Sequence, residues 1–188
     1  MTVATPIAPP FVFAALLVAA AAAAFDWRRR QIPNWLTLGT LAMAPIAHAL
    51  FALLAQVRGR DSALGAAEAS LLGAALCAVV PVVLWRFHAI GGGDVKLVAA
   101  IGAVAGPAFG IEAIFYSCVF ATGFVTVALS WNGTLLRSLG SGLAQVVNPF
   151  LPKGRRIPVR HELIESFRFG PAVCAGVAFA SLLHGGLS

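Results

Sequence analysis

The chain has 188 residues, of which 60% are apolar and 11% charged, with a mean hydropathy of +0.89. Soluble domains carry about 25% charged residues, so this composition excludes an ordinary soluble protein and points to an all-α integral membrane protein. At about 20 apolar residues per crossing the chain holds about six spans and no large soluble domain, and its net charge of +6 reads as a topology signal, with no nucleic-acid surface separable from the spans.

The first apolar run covers 9–25. A secretory signal puts basic residues before its apolar core, whereas here Arg28, Arg29 and Arg30 follow the run directly. It therefore reads as a retained helix with its N-terminus outside and its Arg-rich end in the cytoplasm. Pro33 and Asn34 interrupt the chain before a second span over 35–54, and a polar turn with Arg58, Arg60 and Asp61 leads into a third over 64–85. Arg86 and His88 close that span, and Gly91, Gly92 and Gly93 precede Asp94. Two short spans, 95–109 and 111–130, follow as a tight hairpin that turns at Gly106-Pro107 or Gly110. The loop 132–168 is polar, although Leu135, Leu136, Leu139, Leu143, Val146 and Val147 fall at helical spacing and suggest an interfacial helix. A sixth span covers 169–185, with Pro171 in its first turn, where a missing N–H costs little. The whole chain reads as a single transmembrane domain.

With this topology all of the 13 Lys and Arg residues except Arg58 and Arg60 face the cytoplasm, as the positive-inside rule requires. Cys77, Cys118 and Cys174 stand singly in apolar runs, without a C-x-x-C pair, and read as small core residues. Of the seven acidic residues, Asp61, Glu162 and Glu165 sit in polar loops, and Glu68 and Glu112 lie near outer helix ends where they reach water. Asp26 and Asp94 differ, because each stands at a cytoplasmic helix end, where a carboxylate is costly unless it is paired or hydrated. Two readings are open for each: a balanced or capping carboxylate, or a functional one.

Sequence context separates them. Asp26, Arg28, Ile32, Pro33 and Asn34 form D-x-R-x-x-x-I-P-N, and Gly91-Gly92-Gly93-Asp94 forms G-x-G-D and continues through Lys96 and Leu97 into an apolar helix. These two blocks, in this order and at these helix ends, resemble the prepilin peptidases, the G-x-G-D aspartic membrane proteases that process type IV pilin-like precursors. Phe169-Gly170-Pro171 resembles a later family motif more loosely. The resemblance implies a six-span bundle with Asp26 and Asp94 as the catalytic pair. It implies supporting or substrate-binding roles for Arg28, Pro33, Asn34, Gly91, Gly93 and Lys96. Larger members carry an insertion with two C-x-x-C pairs and a linked methyltransferase. None is present here, so the chain is similar to the short peptidase-only members that serve Flp-type (tight-adherence) pili, and no zinc, S-adenosylmethionine or other cofactor is expected.

A carboxyl pair hydrolyses a peptide when one member is ionised and takes a proton from water while the other is protonated and supplies one to the scissile carbonyl. Helix ends favour Asp94 as the ionised member, by roughly 0.3 to 1 kcal/mol, while Arg28 to Arg30 pull Asp26 the same way. Lys96 is either an interfacial snorkelling cation or a contact for substrate, and His88 reads as a solvated turn residue. The implied substrate is a membrane protein with a basic cytoplasmic leader ending in Gly before an apolar helix, at the bacterial inner membrane, with other pilus-assembly proteins as further partners. Two rival readings remain: an ion- or proton-coupled transporter, which would place the carboxylates near mid-membrane, and a non-catalytic scaffold for pilin-like helices.

Overall fold

A computed structural model of the chain describes residues 8–55, 60–86, 90–131, 140 and 169–184. Among these residues all regular structure is helical, and no strand occurs. The helices are α1 (Pro9–Arg29), α2 (Asn34–Leu54), α3 (Arg60–Arg86), α4 (Gly92–Trp131) and α5 (Phe169–Leu183). Four of them, α1 to α4, are long and apolar enough to cross a membrane, and α5 is a shorter apolar helix. The interfacial helix expected within 132–168 and the turn residue His88 lie outside the described residues, as do Asp61, Glu162 and Glu165 as side chains.

Helix α1 runs past Phe25 to Arg29, so Asp26 lies inside its last turns and not beyond its end. The buried residues Val12, Ala15, Ala19, Ala22 and Asp26 follow one another at alternating steps of three and four, one continuous stripe on the helix. Asp26 is thus carried inward by the same periodicity that buries the alanines. The helix stops because Arg30 turns left-handed, at φ 53 and ψ 26, with its N–H bonded to the Asp26 carbonyl at 3.0 Å. Pro33, extended at φ −67 and ψ 134, then directs the chain into α2.

The longest helix is broken. At Gly106 the backbone leaves helical geometry (φ 74, ψ 174), a conformation open to glycine because it lacks a Cβ. The chain folds back there so closely that a Cβ placed on Gly110 would stand 3.1 Å from the Gly102 Cα. The turn expected at Gly106-Pro107 thus falls at Gly106, and two glycines divide the labour of the bend. Gly102 makes the close approach, whereas Gly106 has open space around its Cβ position and is required by its φ.

This fold-back orphans two carbonyls in an apolar interior. Pro107 has no N–H to give to Ala103, and the break displaces the amide that would serve Val104. Two neighbouring helices repair the loss: the Ser70 hydroxyl of α3 donates to the Ala103 carbonyl at 2.7 Å, and His48 Nε2 of α2 reaches the Val104 carbonyl at 2.9 Å. Because a carbonyl only accepts, His48 carries its proton on Nε2. Its ring stacks on Phe11 of α1, with centroids 3.7 Å apart.

The first half of α4 is the axis of the bundle. Leu97, Val98, Ala100, Ile101, Ala103 and Ala105 are all buried around its circumference, and α1, α2, α3 and α5 each pack on α4. The largest of these interfaces is with α3, where Gly73 and Cys77 enter the bend of α4. Helix α5 runs antiparallel to the second half of α4. Gly176 lies against Ser117, Phe179 meets Tyr116 and Phe120 edge-on, and His184 at its far end pairs with Glu112. The outer surface is apolar, with Leu17, Met43, Ile46, Leu72, Val83, Phe115 and Phe124 exposed, as expected for side chains facing lipid.

Candidate functional site

Helix direction gathers one set of ends. Asp26 closes α1, Asn34 opens α2, Trp85 and Arg86 close α3, Asp94 opens α4 and Gly170 opens α5. Contacts join these ends directly. The Gly170 N–H donates to Asp26 Oδ2 at 3.0 Å, Lys96 Nζ donates to Asn34 Oδ1 at 2.9 Å, and the Cβ position of Gly93 is 3.8 Å from Ile32 Cβ. The Cβ position of Gly92 is 3.6 Å from Trp85 Nε1. All four tryptophans of the chain, Trp27, Trp35, Trp85 and Trp131, lie exposed at this end, the interfacial position that an amphipathic indole favours.

Asp26 is only 9% exposed, the most deeply placed carboxylate among the described residues. Its partner Gly170 is the second residue of α5, so the carboxylate meets the amide end of that helix, where the free N–H groups and the positive end of the dipole suit an anion. Gly170 has to be glycine for this approach: a Cβ there would stand 2.9 Å from both Asp26 Cβ and Oδ2. Asp94 lies in the first turn of α4, its amide bonded to the Gly91 carbonyl at 3.1 Å and its carboxyl beside Gly91. The charge of Asp26 acts on Asp94, so the two carboxyl groups, far apart in sequence, share one electrostatic neighbourhood.

Each expected site residue has a definite place. Gly91 lies under Asp94, since a Cβ on it would crowd Oδ2 at 3.3 Å, whereas a Cβ on Gly93 would make ordinary contact with Ile32. Pro33 is the cap of α2, its carbonyl accepting from Leu36 N at 3.1 Å. Lys96 and Asn34 bond to each other. Arg28 is exposed on α1 and points away from the cluster, two positions from Asp26 and so on another face. Arg29 covers the Phe25 ring at 5.9 Å. The sequence argument that distinguished the aspartates by helix end loses its basis, because α5 brings an amide end to Asp26 as well. Among the described residues no group of three or more His, Cys, Asp or Glu side chains is gathered that could hold a metal ion.

The profile of the type IV leader peptidase family matches residues 11–127, a stretch that includes both motifs. The chain belongs to this family. Membership makes it a leader-peptidase-like protease, and the apolar helices of this peptidase place it among multi-pass membrane proteins. The family also implies pilin-like substrates. No curated protein and no solved structure matches the chain.

Gly170, His48 and Ser70 were not among the residues singled out by chemistry in the sequence. For Gly170 a signal existed, a Gly-Pro pair opening the last apolar run. For His48 and Ser70 it was weaker, a polar residue within the apolar run of each helix, and their purpose becomes visible only with the break at Gly106.

Proposed function

We propose that this peptidase is a G-x-G-D aspartic endopeptidase that removes the basic leader of pilin-like precursors after Gly, using Asp26 and Asp94 at the cytoplasmic face of the bacterial inner membrane. The observation that carries the reading is the assembly of both motif blocks at one end of the bundle, with Asp26 acting electrostatically on Asp94. A relay for ions would want its carboxylates deep within the spans, and these stand at helix ends. Taken as two passes on either side of the fold-back at Gly106, α4 supports a reading of six crossings with the N-terminus outside and the site inside.

The short first half of α4 suits this chemistry. Residues 92–105 rise only about 21 Å, less than the roughly 30 Å hydrocarbon core. Asp94 and Gly106 therefore cannot both reach a membrane surface unless the bilayer thins around the bundle, and thinning at the carboxyl end would bring water and a peptide strand to the site together. Two carboxyl groups in such a place share one proton, because ionising both is costly, and the pair then contains an acid and a base at once. The base takes a proton from water as its oxygen attacks the scissile carbonyl and the acid protonates the carbonyl oxygen; the former base then gives its proton to the leaving amine as the C–N bond breaks, and the former acid takes one back from the gem-diol hydroxyl. Leader removal requires an extended strand at the carboxyls, and the substrate's apolar helix then stays in the bilayer beside the bundle.

Incubating the purified chain in lipid with a labelled precursor and weighing the products tests the reading. A fragment ending at the Gly before the apolar helix is expected. An intact precursor after prolonged incubation, with the peptidase folded, would leave the transporter and scaffold readings standing instead.

A further inference from the structure

Lys96 follows Asp94 by two positions, and residues at i and i+2 of a helix do not face each other. The ion pair found among the described residues is Glu112 with His184, so Lys96 spends its charge on neither Asp26 nor Asp94. Its ammonium goes to Asn34 Oδ1 at 2.9 Å. A lysine only donates, which fixes the oxygen of the Asn34 amide toward it. Asn34 opens α2 directly after the extended Pro33, so this bond ties the segment that leaves the Asp26 helix to the first turn of the Asp94 helix.

Helices α1 and α2 are consecutive yet touch sparsely, and α1 packs on α5 and α4 instead. The Asp26 end is held by Gly170, and the Cβ position of Gly93 lies against Ile32, an apolar contact beside the polar one of Lys96. An ammonium that served only as a snorkelling cation would need no partner on another helix. One that received substrate would be left open for it.

We propose that Lys96 is a positioning residue: its hydrogen bond to Asn34 holds the start of α4 against the α1–α2 turn and so sets Asp94 against Asp26. This rests on the two-aspartate reading above. The arrangement assigns Asn34 its role as well, that of acceptor for the strut. Displacing a reacting group by about 1 Å costs on the order of 100-fold in rate, so even partial loss of registry is measurable.

The test uses the full chain and four variants: Lys96→Met, which keeps the aliphatic stem, Lys96→Arg, Asn34→Ala and the double variant Lys96→Met with Asn34→Ala. Lys96→Met and Asn34→Ala are each expected to lower kcat about tenfold or more, with KM little changed. The double variant falls no further than the worse single one, since both remove the same bond. Lys96→Arg restores most of the rate. A raised KM with kcat intact in Lys96→Met, or losses that multiply in the double variant, would overturn the proposal. Melting temperatures of the same proteins give a readout that needs no activity: non-additive shifts are expected, and additive ones refute the coupling. A wild-type chain that leaves the precursor uncut defeats the protease reading, whereas a cutting chain indifferent to Lys96→Met defeats this inference alone.

Discussion

Replacing Asp26 or Asp94 by Asn should reduce precursor cleavage by about 1,000-fold or more, with the protein still inserted and folded. General acid or base catalysis by one positioned group contributes roughly 100- to 10,000-fold, and an amide can serve as neither acid nor base at these positions. The substitution is close to isosteric. At Asp26 the Asn side-chain oxygen can still accept the Gly170 N–H, which now meets Oδ2 at 3.0 Å, so the α1–α5 junction survives. Removing one of two interacting carboxylates also removes a repulsion, so neither variant should be lost from the membrane. Cells carrying either variant as their only prepilin peptidase should accumulate full-length precursor at normal peptidase levels. Normal maturation in either strain would contradict the two-aspartate mechanism.

The second large effect concerns the bend of α4. A Cβ on Gly73 would overlap the Gly102 carbonyl oxygen and lie 2.9 Å from Gly106 C and 3.0 Å from Pro107 N. All three neighbours are backbone and cannot rotate aside. Gly73→Ala should therefore push α3 off the bend, at a cost of about 3 kcal/mol, and withdraw Ser70 from the Ala103 carbonyl. Gly39→Ala in α2 is the matched control, because nothing lies within 4 Å of its Cβ position. In a helix interior that change should stabilise by roughly 0.5 to 1 kcal/mol. Thermal unfolding in detergent checks both, with Gly73→Ala melting well below the parent and Gly39→Ala at or above it. Equal melting of the two variants would show that the α3–α4 contact is not as close as described.

The sequence displayed its membrane character and both motif blocks openly, because apolar runs and glycine-flanked carboxylates are local patterns. It displayed much less of how the blocks are held. The inward face of α1 was hidden by its own composition: with alanine on every side, no hydrophobic periodicity marks the stripe from Val12 to Asp26. Lys96 had two readings from sequence, and neither was a bond to Asn34, because that partner comes from a separate helix. The turn at Gly106 was legible as one of two places where the hairpin could reverse, Gly106-Pro107 or Gly110, and the choice between them depends on φ and not on spacing. His48 and Ser70 answer carbonyls orphaned elsewhere in the fold, and no local pattern announces that need.

The central claim, that the Asp26 and Asp94 blocks adjoin in the native membrane, is open to a chemical ruler. The Ile32 Cβ and the Cβ position of Gly93 are 3.8 Å apart, inside the range a disulfide spans. An Ile32→Cys and Gly93→Cys chain, with Cys77, Cys118 and Cys174 replaced by Ala, is oxidised in native membranes and digested for mass spectrometry. A disulfide-linked peptide pair joining positions 32 and 93 is the predicted result. Two unlinked, free-thiol peptides after complete oxidant treatment would mean that the blocks lie apart, and the carboxyl pair could not act together.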